Sequence, residues 1–128
     1  MNDCIISCSK IKKRKDLTPS PMDNRSESYK DVDYFPLITS RLDDAQNFSM
    51  RLFKIGPNGF TSKHSHSYEH EVYILHGEGF IYDGNKKIRI EKDDCFIIHP
   101  FEVHQLLADQ KGLDFICVVP NKLKNQPE

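Results

Sequence analysis

From Tyr34 onward the chain consists of short segments rich in β-branched and aromatic residues, each closed by a turn signal within about 8 to 12 residues. Segments at 34–39, 48–55, 60–66, 70–76, 80–83, 86–91, 95–99 and 113–119 read as strands, and only 41–47 reads as a brief helical turn. Gly-Pro-Asn-Gly at 56–59 reads as a turn, and Asp83-Gly84 as the dipeptide of a tight hairpin whose central residues both take positive φ. Strands this closely spaced leave no length for crossover helices, which excludes a parallel βαβ architecture. The expected fold is all-β: a single-domain antiparallel jelly-roll β-barrel, or a sandwich with the same strands.

A chain of 128 residues, 38% of them hydrophobic, supplies one core and no second. Residues 1–32 are expected to form an N-terminal arm, polar and partly basic, followed by the barrel domain at 33–122 and a C-terminal tail at 123–128. The basic run Lys10, Lys12, Lys13, Arg14 and Lys15 has no interleaved aromatics and reads as a solvated tail rather than a nucleic-acid patch. The small apolar island at 4–6 is a candidate strand for pairing with another subunit. With 18 basic and 19 acidic residues the net charge is -1, so no overall field draws the chain to nucleic acid or to an anionic membrane. No apolar run approaches the roughly 20 residues that cross a bilayer, and the acidic N-terminus lacks the plan of a secretory signal. A soluble, cytoplasmic protein is expected. Cys4, Cys8, Cys95 and Cys117 show no Cys-x-x-Cys spacing and read as reduced thiols.

All six histidines lie between positions 64 and 104. His64 and His66, two apart on a predicted strand, leave the same face with α-carbons about 6.5 Å apart, so both imidazoles can reach one ion. His70 follows after Ser67-Tyr68-Glu69, enough chain to turn and bring a third nitrogen from the next strand. His76 lies about 20 Å farther along an extended strand and reads as a surface residue at a strand end. His99, beside Pro100, suits either a rim role or a plain hydrogen-bonded one. His104 is remote in sequence and joins the cluster only if its strand neighbours the others, which spacing leaves open.

The combination of His64-x-His66, His70 and, after six further residues, Gly77 resembles the first motif of the cupin superfamily. That motif has Glu where this chain has His70; of the second cupin motif only His104 survives. Met-Arg-Leu-Phe at 50–53, Glu-His-Glu-Val-Tyr-Ile-Leu at 69–75 and Phe-Ile-Cys-Val-Val-Pro at 115–120 extend the likeness to small bacterial cupins that hold manganese in four histidines. The resemblance spans about 33–122. It implies a barrel, a homodimer, and His64, His66, His70 and His104 as ligands of a divalent transition metal, with Mn or Fe favoured and Ni, Zn or Cu also accepted by imidazole. A four-residue gap would make Glu71 the third ligand instead. His70 and Glu71 point to opposite sides of a strand, and the glycine spacing selects His70, leaving Glu69 and Glu71 outside or supporting a ligand ring.

Four neutral imidazoles add no negative charge, so an ion among them attracts an anionic or enolate-like group, and an octahedral ion keeps two positions open. Arg51, Phe53 and Ile55 alternate on one face of their strand, opposite Lys54. Arg51 is then either a cavity clamp for a carboxylate or a barrel-mouth arginine paired with a surface acid. Phe115, Cys117 and Val119 share one face of the last strand, where Cys117 either looks toward the metal or is a buried inert thiol. The expectation is a metal-dependent oxidoreductase of dioxygenase type acting on a small organic anion. In it Arg51, Phe53, Phe115, Cys117 and Val119 contact substrate, with Phe53, Phe115 and Val119 excluding water. The rivals are a non-catalytic module that binds a metabolite or sugar, and a Lewis-acid isomerase or lyase.

Overall fold

The computed structural model describes residues 11–20 and 29–121. Its elements are a 3₁₀ turn (Arg14–Asp16), β1 (Lys30–Ile38), a one-turn helix α1 (Ser40–Asp43), β2 (Phe48–Phe60), β3 (His70–Tyr82), β4 (Lys87–Glu91), β5 (Cys95–Ile98) and β6 (Gln105–Pro120). All strand pairings are antiparallel, in the order β1-β2-β6-β3-β4, with β5 pairing the first half of β3 and β4 the second half. This is the single-domain, jelly-roll-like antiparallel architecture that the short, turn-punctuated segments demand. No helix among the described residues is long and apolar enough to cross a membrane.

Strand alternation places the core. In β3, His70, Val72 and Ile74 turn inward while Glu71 and Tyr73 are exposed; in β6, Leu113, Phe115, Cys117 and Val119 turn inward. All of these inward residues but His70 meet Val32, Ile55, Ile90, Ile98, Leu106 and Ala108 in one continuous apolar cluster. His70 therefore occupies a core position, which is why its ring is buried.

Among the described residues six strands replace the eight expected, because two sequence breaks, at 56–59 and 77–79, are not chain reversals and 60–66 forms no strand of its own. Gly56–Gly59 lies inside β2 as an irregularity, the β2/β6 register jumping from Ile55↔Leu113 to Phe60↔Leu107. Segments 70–76 and 80–83 fuse into β3, whose register against β6 shifts between Ile74 and His76 and again between Gly77 and Gly79. Such bulges bend a strand without ending it. β6 likewise starts eight residues earlier than expected, and β1 four. Residues 61–66 are not a strand; an isolated bridge, His64↔His104, and hydrogen bonds between Thr61 and the start of β6 tie them to the sheet. The hairpin at 83–86 forms, but Gly84 alone takes a positive φ (93°), while Asp83 accepts hydrogen bonds from the backbone N–H groups of Asn85 and Lys86. Thr39 caps the helical turn by accepting from the N–H of Leu42.

The described part of the basic run is not a free tail. Lys12 Nζ donates to the Leu37 carbonyl at 2.6 Å and pairs with Asp43 at 2.8 Å, and Ser20 bridges to Tyr34. Lys10, Cys4, Cys8 and the island at 4–6 lie outside the described residues. Of the other cysteines, Cys95 is exposed and Cys117 buried, both free.

Gly77 and Gly79 are set by close backbone approach. A Cβ on Gly77, at φ 89°, would meet the Gly112 carbonyl oxygen at 2.0 Å, and one on Gly79 would meet the Leu107 carbonyl oxygen at 2.0 Å. Both opposing atoms are backbone, so the sheet itself would have to part. Gly77→Ala is expected to lower stability by about 3 kcal/mol or more. Gly56→Ala, where a Cβ meets Asp31 Cβ at 3.3 Å without a positive φ, should cost far less. Urea-unfolding midpoints compare the two, and similar midpoints would refute the close-approach account.

Candidate metal centre

Two elements converge to build the site. The segment after β2 carries His64 and His66, and the loop before β6 carries His104. A reciprocal backbone bridge joins them, His64 N–H donating to the His104 carbonyl at 3.1 Å and His104 N–H to the His64 carbonyl at 2.9 Å. Thr61 extends the contact: its N–H donates to the Leu106 carbonyl, its hydroxyl accepts from the Leu106 N–H, and its carbonyl accepts from Gln105 Nε2. The Phe101 N–H donates to the His66 carbonyl at 2.7 Å. The two stretches are thus held in register outside the regular sheet.

Candidate donor nitrogens of His64, His66 and His104 all lie within 4.8 Å of one another, close to the span of two metal–nitrogen bonds of about 2.1 Å each. His70, at the start of β3, stands beside this three-histidine group and not within it, its ring 4.1 Å from that of His66 and 5.5 Å from that of His104, so the expected set of four is three close donors with a neighbour. Glu71 and Glu69 are exposed, and so is His99. His76 is an exposed mid-strand residue of β3, not a strand-end one, because β3 runs through it.

Ring orientation is set from behind. His66 Nδ1 lies 3.0 Å from the Tyr68 carbonyl and His104 Nδ1 lies 3.0 Å from the Glu102 carbonyl. A carbonyl only accepts, so each Nδ1 carries the proton and each Nε2 is left as a lone pair. The Nε2 atoms of His66 and His70 are buried and have no hydrogen-bond partner. Burial lowers the pKa of all four rings: His64 falls to about 4, with further lowering from His104, and His70 to about 2, with further lowering from Arg51. Neutral imidazoles with unpartnered buried nitrogens are a donor set that fits a divalent transition ion.

The histidines open onto a cavity of about 140 Å³. Arg51, Phe53, Phe115 and Cys117 line it together with Tyr68, whereas Val119 is buried in the core and is not among the lining residues. Phe53 and Phe115 stack at 5.1 Å. Arg51 enters the cavity rather than pairing with a surface acid: it donates from Nη2 to Cys117 Sγ at 3.3 Å, and its buried Nε has no partner. Cys117 Sγ also lies 3.0 Å from His70 Nδ1, and burial pushes its thiol upward against the opposing pull of Arg51. Tyr68 was not singled out in the sequence. It stacks on His66 at 4.2 Å and supplies the carbonyl that orients it, and its only signal is its place in the short break between two histidines.

The cupin-domain family model matches residues 51–119. The chain is 30% identical over 80 residues to a 1-methylthio-D-xylulose 5-phosphate methylsulfurylase of Rhodospirillum rubrum, covering 62% of this chain. The matched stretch spans about half (51%) of that relative's length. Among solved structures it is similar to the polyketide cyclase RemF of Streptomyces resistomycificus (25% identity, TM-score 0.78, 88% of this chain and 79% of that one). A predicted oxalate decarboxylase of Thermotoga maritima, 24% identical with TM-score 0.71 over 88% of this chain and 99% of that one, shares the fold.

Protein purified without chelator is expected to carry a divalent transition metal. His66→Ala and His104→Ala should lose most of it, and His99→Ala should keep it. Elemental analysis per chain decides; full metal content in both cluster variants would dismiss the site.

Proposed function

This chain belongs to the cupin family, and from that premise we propose a metal-dependent oxidoreductase of dioxygenase type acting on a small organic anion, with a divalent centre at His64, His66, His70 and His104. The observation that carries this reading is the meeting, around one cavity, of unpartnered imidazole nitrogens and the unpartnered Nε of Arg51. A redox-active ion held by these histidines, manganese or iron in our reading, would supply the reactivity toward dioxygen.

The chain's own residues select and hold the substrate. The cavity of about 140 Å³ suits a small anion. Arg51 presents a buried donor that a carboxylate or enolate oxygen satisfies. The stacked Phe53 and Phe115 form an apolar wall against water. No Asp or Glu occurs among the described lining residues, so nothing repels an anion and no carboxylate stands ready as a general base. The reading includes a cytoplasmic homodimer, with neither nucleic acid nor membrane as partner.

Similarity to a polyketide cyclase supports a second reading, Lewis-acid isomerase or lyase chemistry, which consumes no dioxygen. An oxygen electrode separates the two. Manganese- or iron-loaded protein is offered diketones, catechols and small keto acids, and oxygen uptake matching substrate loss is expected for at least one. Equal turnover without oxygen selects the second reading. Thermal stabilisation by a compound recovered unchanged selects a binding module instead. For whichever anion is used, Arg51→Gln should raise KM or Kd about 10- to 100-fold, the loss of one charged hydrogen bond; an unchanged value would remove Arg51 from the ligand-binding set.

A further inference from the structure

His70 differs from its neighbours in how its ring is held. His66 and His104 rest their Nδ1 atoms on backbone carbonyls, whereas the Nδ1 of His70 rests on a side chain, Cys117 Sγ, at 3.0 Å. That sulfur is fixed in turn by Arg51 Nη2 at 3.3 Å. Cys117 is 2% exposed and His70 7%, so no bulk water competes for either contact.

We propose that Cys117 is the positioning residue of His70, accepting a hydrogen bond from Nδ1–H and thereby presenting the Nε2 lone pair to the metal. The inference rests on the metal reading above and deepens it. Two tautomers are open to the contact. If the thiol donated to Nδ1, the proton would sit on Nε2, which is buried and has no acceptor. If Nδ1 donates, sulfur receives two N–H groups, from Arg51 and His70, on its two lone pairs, and Nε2 becomes a lone pair beside the other imidazoles. The second arrangement leaves the Nε2 of His70 satisfied once a cation is bound, which the first cannot. It also makes one guanidinium serve both cavity and ligand shell, since Arg51 is the residue that pins the sulfur.

The test uses the full chain loaded with cobalt(II), whose visible spectrum reports its ligand set, and with zinc. Cys117→Val fills the site with apolar atoms and removes the acceptor; Cys117→Ser restores one. The valine variant should bind cobalt about 10- to 100-fold more weakly by chelator competition and show an altered visible spectrum, with serine recovering most of both. Wild-type affinity and spectrum in the valine variant would overturn the proposal. Should that variant fail to fold, nitrogen-15 spectra of zinc-loaded wild-type protein decide. A protonated Nδ1 on His70 supports the relay, and a protonated Nε2 overturns it. Failure of wild type to take up either metal overturns the metal reading and this inference with it, whereas uptake with His70 unperturbed overturns this inference alone.

Discussion

The backbone bridge between His64 and His104 is the contact on which the site depends. It exchanges two hydrogen bonds between residues forty positions apart, outside any regular strand. A pair of this kind sets its α-carbons about 5.5 Å apart and turns both side chains to the same side. The rings accordingly meet at a centroid distance of 4.6 Å. Thr61 and Phe101 brace the bridge from either side, one through Leu106 and Gln105, the other through the His66 carbonyl. Without it the histidines of the first segment and that of the second would hang from separate loops.

Bringing imidazoles to the edge of an apolar interior, with His70 and His104 buried, His66 half-buried and His64 exposed, works against stability and for chemistry. Each unpartnered buried nitrogen costs on the order of 1–3 kcal/mol relative to a satisfied one. The cost is tolerated because the surrounding core is continuous, from Val72 and Ile74 on β3 to Leu113 and Phe115 on β6. The same burial keeps the rings neutral, so their lone pairs stay available at physiological pH. Arg51 brings the formal positive charge of the cavity wall, which suits an anion and not a cationic ligand.

The bends of the long strands connect fold to site. β3 must serve β5 with one half and β4 with the other, and it does so by bending at Gly77 and Gly79, where the β6 backbone comes too close for any side chain. β2 bends at Gly56–Gly59 just before the histidine segment leaves the sheet. Glycine clusters of this kind look alike in a sequence whether they reverse a chain or merely kink it, because both need small residues and unusual dihedrals. For that reason the sequence pattern breaks β2 and β3 at 55–60 and 76–80, where the strands in fact run on, and still points to the correct fold class.

Alternation of apolar and polar residues and the spacing of turn signals were enough to set an antiparallel β domain, since no other architecture buries segments so short. They also placed Arg51 with Phe53 and Cys117 with Phe115, because period-two geometry is local. The histidines stood out by residue type alone. What the linear order could not contain was the distance from His104 to His64, the entry of Arg51 into the cavity, the exclusion of Val119 from it, or the resting of His70 on Cys117. Each of these depends on the register between segments remote in the chain, and register is chosen by the packing of the whole core and not by any stretch of residues within it.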